Sequence, residues 1–305
     1  MESFSDLGAI LLMQGFNGLS VFSVLLLMAL GLAIIFGQMG VINMAHGEFL
    51  AVGAYTTYLF SELTQQYIPS FMPYYFLFAV AAAFVATFVL GWLVEWLMIR
   101  HLYRRPLDTL LATWGLSLVM QQALRSIFGP REVSPTLPEW LMGSVQPLNG
   151  VDIPINALVV MAITVILTGG LLLALFRSTW GLHVRATVQN RTMSGSVGID
   201  TKKVDRATFA LGCGIAGIAG AAFTTIGSTG PTSGSLYIVD TFLTVVFGGA
   251  ASLFGTIASA FVIAQTQSIS EFFMTGSMAK VITLSAVVII LMLRPQGLFT
   301  IKVRK

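Results

Sequence analysis

The chain has 305 residues, 56% of them hydrophobic and 10% charged, with 16 Lys and Arg against 13 Asp and Glu. Mean hydropathy is +0.85 and net charge only +3. Soluble chains carry roughly 25% charged residues, so this one cannot dress a water-facing surface; it reads as an all-α polytopic membrane protein, and nothing in its charge suggests nucleic acid as a partner.

A bilayer core of about 30 Å takes about 20 helical residues. Charge-free runs occupy residues 7–45, 71–94, 109–124, 153–176, 207–239, 241–270 and 281–293. They are continuous, where barrel strands would alternate polar with apolar, so they are predicted to be helices. The opening MESFSDLG has no Lys or Arg, and no cleaved leader is expected. From an outside N-terminus, a first helix runs inward to about 36 and a second runs out over 44–60. A third returns to the basic turn RHLYRRP. A short fourth, about 107–128, leads to an outer Pro-rich loop, GPREVSPTLPEW, and a fifth comes back to 176. A long basic loop follows over 177–206, then a sixth helix over about 207–226.

Basic residues cluster at Arg100, Arg104 and Arg105; at Arg177, Arg185, Arg191, Lys202, Lys203 and Arg206; and at Arg294, Lys302, Arg304 and Lys305. The positive-inside rule puts all three groups, and the C-terminus, in the cytoplasm. Parity then requires 239–270 to be two helices, broken at GGAASLFG (248–255). The expectation is one transmembrane domain over 1–305 with eight or nine membrane-inserted helices and breaks near 37–48 and 248–255. The longest hydrophilic stretch, about 30 residues, leaves no room for a catalytic domain.

Three strings carry chemistry. GQMGVINMAHGEFLAVGAY (37–55) puts Asn43, His46 and Glu48 between apolar runs. An acid there costs a few kcal/mol to insert and belongs on a protein interior or a water-filled path, and interrupted helices expose backbone dipoles to solutes. The bland alternative is helix capping near the interface. TLLATWGLSLVMQQALRS (109–126) holds Thr113, Trp114, Ser117, Gln121 and Gln122; Thr113, Ser117 and Gln121 are four apart and form one stripe. That stripe suits either helix–helix hydrogen bonds or a small neutral polar solute. The loop over 177–206 exceeds what a connection needs. It reads as a docking surface for a cytosolic partner, with a short helix in its middle ended by Gly195 and Gly198; a mere topology signal is the alternative.

Other strings are set aside. GCGIAG (212–217) has the GxGxxG spacing but no preceding strand, so Gly212, Gly214, Gly217 and Gly220 read as close helix packing. The lone Cys213 excludes a disulfide framework or a cysteine-based metal cluster, and His46-Gly47-Glu48 is not a zinc motif, so no metal is expected. Glu95, with a buried functional acid as the alternative, reads better as snorkelling to the cytoplasmic interface, and Lys280 reads as snorkelling to the outer one. No GxxxxGK[ST] string exists, so any ATP-driven step needs another subunit. The absence of Ser/His or Asp/Asp pairs at helix spacing argues against an intramembrane hydrolase, and the lack of an evident Asp/Lys relay against a stand-alone channel or secondary transporter.

GQMGVINMAHGEF, GLHVRATVQNRTMSGSVGID, VVFGGAASLFGTIASA and LRPQGLF, in this order from about 15 to 299, resemble the permease subunits of ABC importers for branched-chain amino acids and urea. NMAHGE and RPLDTLLATWGLSLVMQQ resemble the urea permeases more. The resemblance implies a transport subunit of the bacterial inner membrane, not an enzyme. Its partners would be two ATPase subunits carrying ATP and magnesium, a second homologous permease, an extracytoplasmic solute-binding protein and membrane lipid. No cofactor is implied in this chain. The resemblance also places an ATPase-coupling segment on 185–199, with Arg185, Gln189, Asn190, Arg191, Gly195 and Gly198. Solute contacts at Asn43, His46, Glu48, Thr113, Trp114 and Gln121 follow from polarity alone, and a neutral solute such as urea is favoured by the scarcity of intramembrane charge.

Overall fold

The structure, a computed structural model, describes residues 2–103, 105–148, 151–250 and 252–299. Arg104, Lys302, Arg304, Lys305 and Ala251 of the strings above lie outside the described residues.

Punctuation by Gly and Pro sets the element boundaries. α1 (Glu2–Met39) ends at Gly40, whose φ of 63° suits only glycine comfortably and whose N–H bonds Phe36 O at 2.9 Å. α2 (His46–Tyr67) is followed by a 3-10 turn at Pro69–Phe71. α3 (Tyr75–Val94) widens into a π turn over Glu95–Ile99 and finishes as α4 (Arg100–Leu102). α5 (Pro106–Phe128) has proline in its first turn. The connection after α5 contains a small antiparallel hairpin, β1 (Ser144–Leu148) with β2 (Val151–Pro154); the sequence between them is Asn149-Gly150, a hairpin-turn dipeptide that a reading for apolar runs passes over. α6 (Ile155–Arg177) then leads into the basic segment.

That segment is mostly helix rather than loop. Ser178, Asn190 and Asp200 start α7 (Thr179–Gln189), α8 (Arg191–Ser196) and α9 (Thr201–Phe223), their side chains accepting from the backbone N–H of Gly181, Met193 and Lys203 at 3.0, 2.9 and 3.2 Å. Lys202, Lys203 and Arg206 therefore belong to α9, which begins at Thr201 rather than near 207. The Lys203 amide holds the Asp200 carboxyl below its ordinary pKa. α8 ends at Ser196, so Gly195 lies inside it, and Gly198, at φ 90°, turns the chain toward α9.

The remaining helices are α10 (Ser233–Gly248), α11 (Leu253–Phe273) and α12 (Gly276–Leu293). Among the described residues five stretches are long and apolar enough to cross a membrane: Leu12–Gly37, Tyr75–Leu102, Ile155–Arg177, Thr201–Phe223 and Gly276–Leu293. α2, α5 and α11 match them in length but are more polar, and α10 is apolar but shorter. Five stretches thus combine the length and the apolarity, against the expected eight or nine inserted helices, and the other four helices have one of the two each.

α1 and α9 are central, with 78% of each span window buried, against 28% for α3, 22% for α6 and 17% for α12. Lipid tails are as apolar as leucine, so helices in a bilayer associate by close packing instead of hydrophobic exclusion. α9 supplies that closeness. A Cβ at Gly212 would meet Gly31 O and Ile35 of α1; at Gly217, Thr87 and Ala83 O of α3; at Gly220, Leu50 O of α2. GCGIAG is thus a packing face, with Cys213 buried against Gly91.

The break at 248–255 is a hairpin between α10 and α11 in which the Gly248 and Gly255 backbones touch, and Ser252 caps α11 by accepting from Gly255 N at 3.0 Å. LRPQGLF folds back onto it: Leu298 N donates to Phe247 O at 2.9 Å and Phe299 N to Gly248 O at 3.3 Å. Two strings some 40 residues apart thus form one unit.

Gly217→Val and Gly220→Val should each destabilise the protein by about 1–3 kcal/mol or more through overpacking, seen as a lower melting temperature in detergent. Gly169→Ala, where no atom lies within 4 Å of the added carbon, should leave it unchanged.

Candidate functional site

After α1 stops at Gly40 the chain crosses to α2 without helical hydrogen bonds, and side chains satisfy its amides. Asn43 Oδ1 accepts from Ala45 N at 3.1 Å, and Thr113 Oγ1 of α5 accepts from Met44 N at 3.1 Å. His46 N bonds Asn43 O at 3.2 Å and opens α2. Glu48 lies in that first turn, where a helix dipole favours an anion.

Asn43, His46, Glu48, Thr113 and Ser117 are all buried, and Gln121 is half-buried. Glu48 Oε1 accepts from Ser117 Oγ at 3.0 Å and from Gln121 Nε2 at 2.8 Å. His46 Nε2 lies 3.2 Å from Met28 O of α1, and the imidazole fits because Gly31 has no side chain. Thr113, Ser117 and Gln121 share the α5 face turned to α2, as their spacing required. Trp114 is 54% exposed and stands outside this buried cluster. Gln122 is exposed as well.

The stripe therefore does bond helix to helix. It also leaves Glu48 Oε2, His46 Nδ1 and Asn43 Nδ2 buried without a protein partner. Buried polar atoms are nearly always bonded, so three such atoms within six residues of chain mark a place able to take a water or a polar solute. The cluster offers a carboxylate oxygen and an amide donor, the groups that bind ammonium, amide or carbonyl functions.

The segment over 185–199 presents a different chemistry. The Arg185 guanidinium lies 5.3 Å over the Phe176 ring, and Arg191 pairs with the buried Asp205. Two cations expected to face a partner are thus engaged inside the chain. Gln189, Asn190, Gly195 and Gly198 are exposed, as are the apolar Val188, Met193 and Val197, which charge counting overlooks.

The snorkelling assignment of Glu95 is corrected, whereas the Lys280 side chain stays 34% exposed. Glu95 is 1% exposed, paired with Arg206 Nε at 2.8 Å and accepting from Tyr103 Oη at 2.6 Å. Lys280 pairs with Asp240 Oδ2 at 2.8 Å and donates to Leu236 O at 3.1 Å. Both reach partners distant in sequence, which single-helix reasoning cannot see. An Asp/Lys pair inside the helices does exist, and buried charge is not scarce.

Residues 15–293 match the family described as "Branched-chain amino acid transport system / permease component". The chain is 27% identical over 291 residues to the high-affinity branched-chain amino acid transport system permease protein BraD of Pseudomonas aeruginosa, covering 94% of this chain and 95% of that one. It is 26% identical over 297 residues to LivH of Escherichia coli K12, covering 94% of each. It is 23% identical over 309 residues to a probable LivH of Methanocaldococcus jannaschii, covering 96% of this chain and 93% of that one. No solved structure matches at a significant level.

Ser117→Ala and Gln121→Leu both withdraw donors from one buried carboxylate, so their effects should not add. A double-mutant cycle on thermal stability should show a coupling of about 0.5–3 kcal/mol. Trp114→Ala combined with either should be additive.

Proposed function

The chain belongs to the branched-chain amino acid transport system permease component family, and we propose that it is a membrane-embedded permease subunit of an ATP-driven importer that carries branched-chain amino acids by alternating access. The observation that carries this is a match over nearly the whole of both chains to permease proteins named for that solute class. The role is transport, not catalysis. ATP and magnesium act on two partner ATPase subunits, consistent with a sequence without a phosphate-binding loop. A second homologous permease completes the pathway, and an extracytoplasmic binding protein delivers solute. The subunit sits in the bacterial inner membrane with its N-terminus outside and its C-terminus in the cytoplasm.

In this reading Asn43, His46, Glu48, Thr113 and Gln121 line the solute path. Glu48 suits the ammonium group of an amino acid through its unpartnered oxygen, and Asn43 Nδ2 suits the solute carboxylate. The site sits where α2 and α5 meet through hydrogen bonds, which exchange partners with a passing polar solute. ATP-driven closure of the partner subunits presses on 185–199, through the exposed Gln189, Asn190, Gly195 and Gly198 together with Met193 and Val197. That push, opposed by binding-protein docking outside, changes the side to which the pathway opens.

Urea is the second reading, favoured by the likeness of NMAHGE and RPLDTLLATWGLSLVMQQ to urea permeases. Its argument from scarce intramembrane charge does not hold beside the Glu48, Glu95, Asp205 and Asp240 carboxylates, all buried. The Asp240–Lys280 pair likewise weakens one objection to a stand-alone transporter.

Labelled leucine and labelled urea uptake, measured in a strain lacking only this subunit and restored with it, separates these. Leucine uptake should return and urea uptake should not. Restored urea uptake alone favours the second reading, and solute movement through the purified subunit without ATPase partners overturns both. Glu48→Gln should lower leucine uptake at least about tenfold, the loss of one charge-assisted contact, while Trp114→Ala should leave it unchanged.

A further inference from the structure

At one end of the bundle, five side chains from α8, α9, the π turn and the residue after α4 form a run of contacts that closes through the Asp205–Arg206 backbone. Arg191, the first residue of α8, pairs with Asp205 of α9, and Asp205 has no measurable side-chain exposure. The next residue, Arg206, pairs through Nε with Glu95 Oε2 at 2.8 Å. Glu95 opens the π turn that follows α3 and accepts at Oε1 from Tyr103 Oη at 2.6 Å. The Tyr103 ring lies under the Arg191 guanidinium, 5.3 Å from its centroid, and so returns to the starting residue. Outside this run, Arg206 also lies 5.2 Å over Trp92 of α3.

The arrangement is specific in ways that plain stabilisation does not need. A buried ion pair is weak support for stability, since an apolar pair of similar volume often does as well; its best-attested use is to fix register. Asp205 and Arg206 are neighbours in sequence, yet one holds α8 and the other holds the end of α3. The start of α9 is therefore a hub. Moving α8 alone would strand the Asp205 carboxylate, which has one oxygen on Arg191 and the other without a partner. Stranding a buried charge is strongly unfavourable, so α8 travels with α9 and α3. α9 in turn is interlocked by backbone contact with α2, the helix that carries Glu48, at Gly53–Gly217 and Gly220–Leu50.

We infer that Arg191, Asp205, Arg206, Glu95 and Tyr103 are positioning residues that clamp α8 to α9 and α3, so that a push on α8 is delivered through α9 to the α2 site and not absorbed by the connections flanking α8. This rests on the proposed role of 185–199 as the ATPase contact. In the clamp Arg191 bonds inward to Asp205 while 43% of its side chain stays exposed. Its work is done by opposite charge across the α8–α9 junction, so reversing both charges preserves it and removing one does not.

The test uses the whole importer, with both permeases, both ATPases and binding protein, reconstituted in proteoliposomes. Leucine uptake and ATP hydrolysis are measured on the same vesicles, and assembled complex is quantified. The wild type must first take up leucine with ATP; failure there defeats the reading of function and not the clamp. Asp205→Asn and Arg191→Gln should keep hydrolysis but lower leucine moved per ATP by about tenfold, within the range of coupling between distant sites. Arg191→Asp combined with Asp205→Arg should restore most of that ratio. Tyr103→Phe, which keeps the ring and loses the hydroxyl, should lower it less than Tyr103→Leu. Should the Asp205 variants fail to assemble, the two Tyr103 variants carry the same comparison. Variants that reduce only the amount of complex, with an unchanged uptake-to-hydrolysis ratio, overturn the clamp, as does a charge exchange that restores nothing.

Discussion

Backbone contact along α9 is the constraint on which the rest of the arrangement depends. In a bilayer the hydrophobic effect selects what enters the membrane but does not decide which helix meets which. Glycines at 212, 217 and 220 let α1, α3 and α2 approach to backbone distance on separate faces of one helix. Each of those helices brings something polar to a defined place: Met28 O of α1 to His46, the α2 start to α5, and Glu95 of α3 to Arg206. Widening that core by a single methyl would shift all three together.

Burial of charge follows as a consequence, not as an independent feature. A carboxylate among apolar helices needs a partner fixed in place, and only a tightly interlocked core fixes one. Glu95 and Asp205 have arginines, and Asp240 has Lys280. Glu48 is the exception, since it has neutral donors only, from Ser117 and Gln121. Three ion pairs of a structural kind and one carboxylate held by hydroxyl and amide divide the acids by role. The group without a counter-charge is the one left free to receive one.

Much of the fold is legible in the chain because one property, uninterrupted apolar length, marks each helix, and parity of the basic clusters forces the break at 248–255. The α5 stripe is legible too, since residues four apart share a face. Trp114 was grouped with the stripe by polarity, yet it is 54% exposed and stands outside the buried cluster. Glu95 was misjudged because an acid near a helix end looks the same whether it reaches water or an arginine 111 positions away. The helical content of 177–206 was available in Ser178, Asn190 and Asp200, each a capping residue; reading the segment as charge concealed it. The hairpin at 144–154 is signalled too, by Asn149-Gly150 between its two strands, a cue lost when only long apolar runs are sought.

The two sides of α2 are joined to the bundle by different physics, and this bears on how an alternating-access subunit works. Toward α9, backbone meets backbone at Gly53 and Gly220, contact that cannot be loosened gradually. Toward α5, the junction consists of the Met44–Thr113 and Glu48–Ser117–Gln121 hydrogen bonds and a Tyr55–Phe128 stack with centroids 4.4 Å apart. Hydrogen bonds of this kind contribute about 1 kcal/mol each net, because water or solute replaces them. The far face of α5 exposes Leu107, Leu111, Leu118 and Val119, a surface open to lipid or to the second permease of the proposed complex. Under the proposed mechanism, a push arriving through α9 would move α2 as a unit and part it from α5. That junction runs past Glu48, where a polar solute on the proposed path would replace the bonds lost on opening it.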